Sequence, residues 1–194
     1  MTRLHTFMVM ALTVLAIGAC TNAPPAGRAA INSFAHIQPL PLDVANIEVF
    51  DDFQPSLEAP YIEHTMVNPP YRAAYNMTQR AFTADGIERA LQVRMTEASV
   101  KHSERVVKQN NFIKTREHVY QAHLKADVIM THNDSVRQEL GRGAIDVQRN
   151  MTVPASMSLT EREIALNGMI EKLVMDYHDG LVDILRDDFQ VLRP

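Results

Sequence analysis

Between Tyr120 and Met130 apolar and polar residues alternate almost without a break. Tyr120, Ala122, Leu124, Ala126, Val128 and Met130 stand against Gln121, His123, Lys125, Asp127 and Ile129. A two-residue period puts the first set on one face of a β-strand, and the mostly polar second set points to an antiparallel sheet covered on one side. The same period marks Leu91, Val93 and Met95 against Gln92, Arg94 and Thr96, and continues less cleanly through Val100 to Val106-Val107. Gln109-Asn110-Asn111, between the two runs, is a turn signal, because asparagine tolerates left-handed backbone. A further strand is expected over Ala144 to Val153, with Ile145 and Val147 inward and Pro154 as terminator. Val44, Ile47, Val49 and Phe50 predict another over Leu42 to Phe53, stopped by Pro55.

Two stretches carry the helical period instead. Tyr71, Ala74, Tyr75, Thr78, Ala81 and Phe82 trace one face after Pro69-Pro70, where proline suits a first turn, and Asp85-Gly86 ends the run. Leu166, Met169, Ile170, Leu173, Tyr177, Leu181, Ile184 and Leu185 form a longer stripe, opened by a capping box at Ser158 and Glu161 and overlapped by Thr160 with Glu163. Gly168 and Gly180 interrupt it and suggest close packing of the helix at either position. The order β-α-β-β-β-α predicts an α+β fold, a four-stranded, mainly antiparallel sheet with two helices on one face. Gln54 to Asn68, carrying Tyr61, Ile62, His64, Met66 and Val67, is long for an internal connection; such a loop is either functional or packed across a sheet edge.

The N-terminus follows different rules. Arg3 precedes an apolar run from Phe7 to Ile17, broken only by Thr13, which has the length of a signal-peptide core and falls short of the ~20 apolar residues that span a bilayer. Small Gly18 and Ala19 then admit the backbone to a peptidase cleft just before Cys20, the single cysteine. Ile17-Gly18-Ala19-Cys20 resembles the lipobox of bacterial lipoproteins. That resemblance implies removal of residues 1–19, a thioether-linked diacylglycerol on Cys20 and acylation of the new amine, palmitate being the usual type of chain. Two or three chains, at ~0.8 kcal/mol per buried methylene, make release from a bilayer improbable. Thr21 is not the aspartate associated in that family with inner-membrane retention, so the periplasmic face of the outer membrane is expected. Residues 20–41, rich in Ala and Pro, read as a semi-rigid tether, and residues 42–194 as one α+β domain.

Charge changes the picture in one place. Without residues 1–19 the chain holds 18 Lys and Arg against 23 Asp and Glu, a net −5 that argues against a nucleic-acid partner. Asn32 to Asn68 carries six acids and no Lys or Arg, whereas Lys101 to Arg116 carries five basic residues and only Glu104. Lys101, Arg105, Lys108, Lys114 and Arg116 flank the expected turn. A projecting hairpin of that composition suits an anionic lipid, a lipopolysaccharide phosphate or an acidic protein; charged edges also serve simply to prevent strand aggregation.

Catalytic and metal signatures are not found. The eight histidines have no paired ligand spacing, so no metal is expected, and a lone cysteine committed to lipid leaves neither a disulfide nor a thiol nucleophile. Asp51-Asp52 and Asp187-Asp188 are adjacent rather than opposed and read as solvated charges. There is no nucleophile elbow, phosphate-cradling glycine loop or zinc-protease helix. With its leader, tether and small domain the chain is similar in architecture to small periplasmic lipoproteins of envelope transport, of the lipopolysaccharide-assembly and ABC-transport auxiliary types. What this implies is a non-catalytic accessory of lipid transport or assembly, without cofactor, held to the bilayer through Cys20 and bound to an envelope protein. The alternative is a structural or assembly-factor lipoprotein using its acidic helix and the Gln54 to Asn68 loop, with an envelope hydrolase a distant third.

Overall fold

The computed structural model describes Phe34, residues 36–108 and residues 114–193. Its elements run β1 (Leu40–Leu42), β2 (Asn46–Asp51), a 3-10 turn (Glu63–Thr65), α1 (Pro70–Ala81), β3 (Phe82–Ala84), β4 (Arg89–Lys108), β5 (Lys114–His132), β6 (Glu139–Pro154), α2 (Leu159–Asp183) and a π turn (Ile184–Asp188). The main sheet has the order β2-β4-β5-β6, with β2 parallel to β4 and the other neighbours antiparallel, so the expected α+β class is the one found. The parallel pair requires a crossover, and α1 supplies it.

Strand β4 shows why its alternation is hard to follow in sequence. Leu91, Val93 and Met95 face the helices, then a bulge between Met95 and Glu97 inserts one residue, and from there Ala98 and Val100 face inward. An extra residue flips the parity of everything after it. Strand β5 pairs with both segments and keeps even numbers inward from Tyr120 to Met130, all buried.

The helices lie on that inward face. Ala73, Ala74, Met77, Thr78 and Ala81 of α1, and Met169, Ile170, Leu173, Val174, Tyr177 and Leu181 of α2, close the core over the sheet. Burial at ~1.5–3 kcal/mol per large apolar side chain makes this layer the main source of stability. Tyr177 joins the helices: its hydroxyl lies 2.7 Å from Thr78 Oγ1, which itself bonds Ala74 O at 3.0 Å. The capping box at Ser158 and Glu161 is formed, with Ser158 N–H donating to Glu161 at 3.0 Å. Of the two helix glycines only Gly180 is a close approach. A Cβ there would stand 3.3 Å from Ile145 Cγ2, whereas one at Gly168 would meet nothing within 4 Å.

Two features depart from the sequence expectation. The strand expected over Leu42 to Phe53 is two strands, broken where Val44 N–H turns back to Leu42 O at 2.8 Å and Asp43 pairs with Arg89 and Arg193. Those guanidiniums, Arg193 first, hold the Asp43 carboxyl below the usual aspartate range. Strand β3 follows α1 with no intervening loop and lies parallel to β1, a pairing too short to show in the pattern. The turn after it needs Gly86, because a Cβ there would sit 2.6 Å from the backbone of Asp43 and Val44. The C-terminal segment closes the same end, Asp43 N–H donating to Val191 O and Arg193 N–H to Pro41 O. Phe34 is buried and Ile37 and Leu40 pack on the core, so the described part of the Pro-rich stretch lies against the domain.

Candidate functional site

Strands β4 and β5 extend past the rest of the sheet as a two-stranded finger. The last β6 residue, Pro154, pairs with Glu117, and Ala155 N–H makes a final bond to Arg116 O. On the other side the edge of β4 is covered only as far as His102. There Pro60 to Ile62 lies across it, with Ile62 N–H donating to Val100 O at 2.9 Å and His102 N–H to Pro60 O at 2.8 Å. Of the two readings of the Gln54 to Asn68 loop, packing across a sheet edge is therefore the one observed. Glu63 fastens the loop from inside: it is wholly buried, and one carboxylate oxygen accepts Val100 N–H at 3.0 Å.

Register sorts the five basic residues by face, because directly paired residues point the same way. His102–Tyr120, Glu104–His118, Val106–Arg116 and Lys108–Lys114 alternate on the helix side; Lys101–Gln121, Arg105–Glu117 and Val107–Thr115 lie on the open side. Lys101 stands with its ammonium 5.3 Å above the centre of the Tyr61 ring, and Arg105 makes a two-nitrogen contact with Glu117 at 2.9 and 3.1 Å. Both open-side charges thus have partners. Lys108, Lys114 and Arg116 share the helix-side face with exposed Val106, and among the described residues none forms an ion pair. Lys108 and Lys114 are directly opposite each other, an arrangement that repels until an anion comes between them.

At the root of the finger the same face carries a histidine pair that sequence spacing did not reveal. His102 and His118 are sixteen residues apart and meet across the hairpin, Nε2 to Nδ1 at 2.9 Å; the His102 ring also stacks on Tyr120. Arg162, from the first turn of α2, is 3.0 Å from His118 Nε2. A guanidinium only donates, so His118 Nε2 accepts, its Nδ1–H donates to His102 Nε2, and both rings are neutral. Burial, and then the repulsion that charging both rings together would bring, push His102 below the usual histidine range, against the opposing pull of Glu104. Glu104 Oε1 lies 3.6 Å from His118 Nδ1.

Beside this pair is a groove of about 350 Å³ between the loop, β5 and the start of α2. Ile62, Met66, Val67, Tyr120, Leu159 and Leu166 form its apolar wall, and Arg162 and Glu163 are its charged lining. Val67 and Leu159 are 66% and 77% exposed, apolar side chains left in solvent at its mouth. The signal for it was present in the loop's cluster of Tyr61, Ile62, Met66 and Val67, but the partner residues come from α2, about 100 positions later.

Other candidates fall into place around these. Among the described residues no group of three or more histidine, cysteine or acidic side chains is placed to hold a metal. Asp52 bonds Arg94 at 2.7 Å, and Asp187 and Asp188 are exposed in the π turn. The open face of the sheet carries exposed ion pairs, Arg137 with Glu48 and Lys125 with Asp146, each at 2.8 Å. Cys20 with its preceding motif, and the turn at Gln109-Asn110-Asn111, lie outside the described residues.

Neither a family model nor a curated protein matches the chain. Solved structures with a similar chain course include a minor lipoprotein from Acinetobacter baumannii (11% identity, 79% of this chain and 100% of that one, TM-score 0.36). A Xanthomonas campestris protein of the DUF330 family is similar at 10% identity over 79% of this chain and 93% of that one, TM-score 0.40. Rare lipoprotein B from Shewanella oneidensis gives 7% identity over 71% and 94%, TM-score 0.34. Likeness at this level leaves the function to the residues themselves.

Proposed function

We propose that this chain is a lipid-anchored envelope protein without catalytic activity, standing on the periplasmic face of the outer membrane as an accessory of lipid transport or assembly. In this reading it meets anionic lipid headgroups through the helix-side face of the finger. The anchor rests on Ile17-Gly18-Ala19-Cys20. Among the described residues no helix is long and apolar enough to cross a membrane. The contact rests on one observation: Lys108, Lys114 and Arg116 gather on a single face beside exposed Val106 and, among the described residues, form no ion pair, while the two remaining basic residues are engaged on the other face.

Such a cluster attracts anionic headgroups at roughly 1 kcal/mol per cation near the surface, falling with distance over a Debye length. The assembly-factor alternative has less to work with, since Pro60 to Ile62 is used up in covering β4 and Asp176 of the acidic helix is bonded to Arg149 at 2.5 and 2.6 Å. The test is sedimentation of residues 20–194, unacylated, with vesicles of phosphatidylglycerol or of phosphatidylcholine. Binding to the anionic vesicles alone, weakening with salt and abolished by Lys108→Glu, Lys114→Glu and Arg116→Glu together, supports the reading. Equal binding by the triple variant defeats it.

A further inference from the structure

The groove at the root of the finger has a charge and a shape that the finger's own role does not use. Its apolar wall is drawn from three elements, and two of its members, Val67 and Leu159, stand mostly in solvent. An exposed apolar mouth leading into an apolar groove costs free energy in water that a hydrocarbon occupant recovers. At about 350 Å³ the groove lies at the small end of the ~300–1,000 Å³ range of small-molecule sites, which suits one alkyl chain and not the paired chains of a phospholipid.

Arg162 decides the head. It is half-buried and forms no ion pair among the described residues; one Nη bonds a neutral imidazole, and its buried Nε has no acceptor. A guanidinium in such a place lacks the carboxylate that half-buried arginines elsewhere in this chain possess, as Arg89 does in Asp43. Glu163, the other charged lining residue, is exposed and free to turn to water. Farther out on the same face, beyond His118 and its cross-strand partner Glu104, stand Arg116 and the Lys108–Lys114 pair. Apolar groove and guanidinium therefore adjoin, matching a molecule with one hydrocarbon tail and one anionic end.

We infer that the groove binds a single-chain amphiphile with a phosphate head, its alkyl chain along Met66, Tyr120 and Leu166 and its phosphate at Arg162. This deepens the reading of the chain as a lipid-facing protein and rests on it, but the two stand or fall on different residues. The test uses dodecyl phosphate, below its micelle concentration, titrated calorimetrically into residues 20–194, which contain the whole described core. Dodecyl maltoside and inorganic phosphate are the comparison probes. The inference expects saturable one-to-one binding of dodecyl phosphate, weaker binding of the maltoside and none of phosphate.

Leu166→Trp, which fills the groove, should weaken dodecyl phosphate at least about tenfold, or ~1.4 kcal/mol. Arg162→Met should bring dodecyl phosphate to the level of the maltoside, and Arg162→Lys should restore part of the preference. All three groove variants should still sediment with phosphatidylglycerol vesicles, whereas the finger triple variant should keep its dodecyl phosphate affinity. No binding of any alkyl probe, binding indifferent to Leu166→Trp, or equal affinity for phosphate and maltoside heads would overturn the inference. A groove that takes an apolar side chain from a protein partner instead would give the first of these results.

Discussion

Removing the Tyr177 hydroxyl should cost little, while removing its partner should cost more, and the difference measures how the two helices are joined. Tyr177 is wholly buried, and burial pushes its hydroxyl up to about 12, so it is protonated at any working pH. Thr78 spends its one proton on Ala74 O at 3.0 Å and must therefore accept from Tyr177 at 2.7 Å. Tyr177→Phe deletes one neutral hydrogen bond and strands no donor, a loss of about 1 kcal/mol. Thr78→Val leaves the tyrosine O–H buried without an acceptor, a loss of ~1–3 kcal/mol. In the Tyr177→Phe background the same Thr78→Val change replaces a hydroxyl by a methyl against an aromatic edge and should cost well under ~1 kcal/mol. Urea unfolding of the four proteins gives the coupling, and thermal melts should fall by roughly 2–4 °C for each kcal/mol in a domain of this size. Additive single costs, or a larger loss for Tyr177→Phe than for Thr78→Val, would refute the assigned direction of the bond.

Two further outcomes follow from groups in the site. His102 is held below its ordinary value of 6.5, so the folded protein takes up this proton less readily than the unfolded chain. Stability should rise with pH up to about 6.5 and then level off, and His102→Gln should flatten that part of a melting-temperature profile; an unchanged slope would remove His102 as its source. Glu63→Ala deprives the buried Val100 N–H of its acceptor. It should cost ~1–3 kcal/mol in urea unfolding and speed amide exchange at Val100 and Ile62; unaltered exchange at both would show that the carboxylate does not fasten the loop.

How much could be read from the chain depended on how far apart the participating residues lie. The strand from Tyr120 to Met130 and the helix after Ser158 declare themselves because every contact that defines them is local or periodic. The alternation of strand β4 is clean only up to its bulge, where one extra residue reverses the faces and blurs the continuation to Val106-Val107, and β3 is too short to form a pattern. The basic residues were identifiable as a cluster by composition, but their division into a partnered pair and an unpartnered trio is a matter of cross-strand register. The His102–His118–Arg162 chain depends on pairing across sixteen and forty-four residues, and the groove on docking a loop at Ile62 to Val67 against a helix that begins at Leu159; no linear spacing encodes either. Physical coupling across a hairpin becomes legible once the turn is counted, and coupling between a loop and a distant helix only once both are docked.

All of the functional reading depends on the chain being held at a membrane by one modified residue. Labelling with radioactive palmitate in a Gram-negative host, followed by membrane fractionation, addresses this directly. The wild-type chain should take up label, lose residues 1–19 and sediment with the outer membrane, and Cys20→Ala should take up none and persist as a full-length precursor. Normal cleavage of Cys20→Ala with release into the soluble fraction, or an unlabelled wild-type chain, would contradict the account.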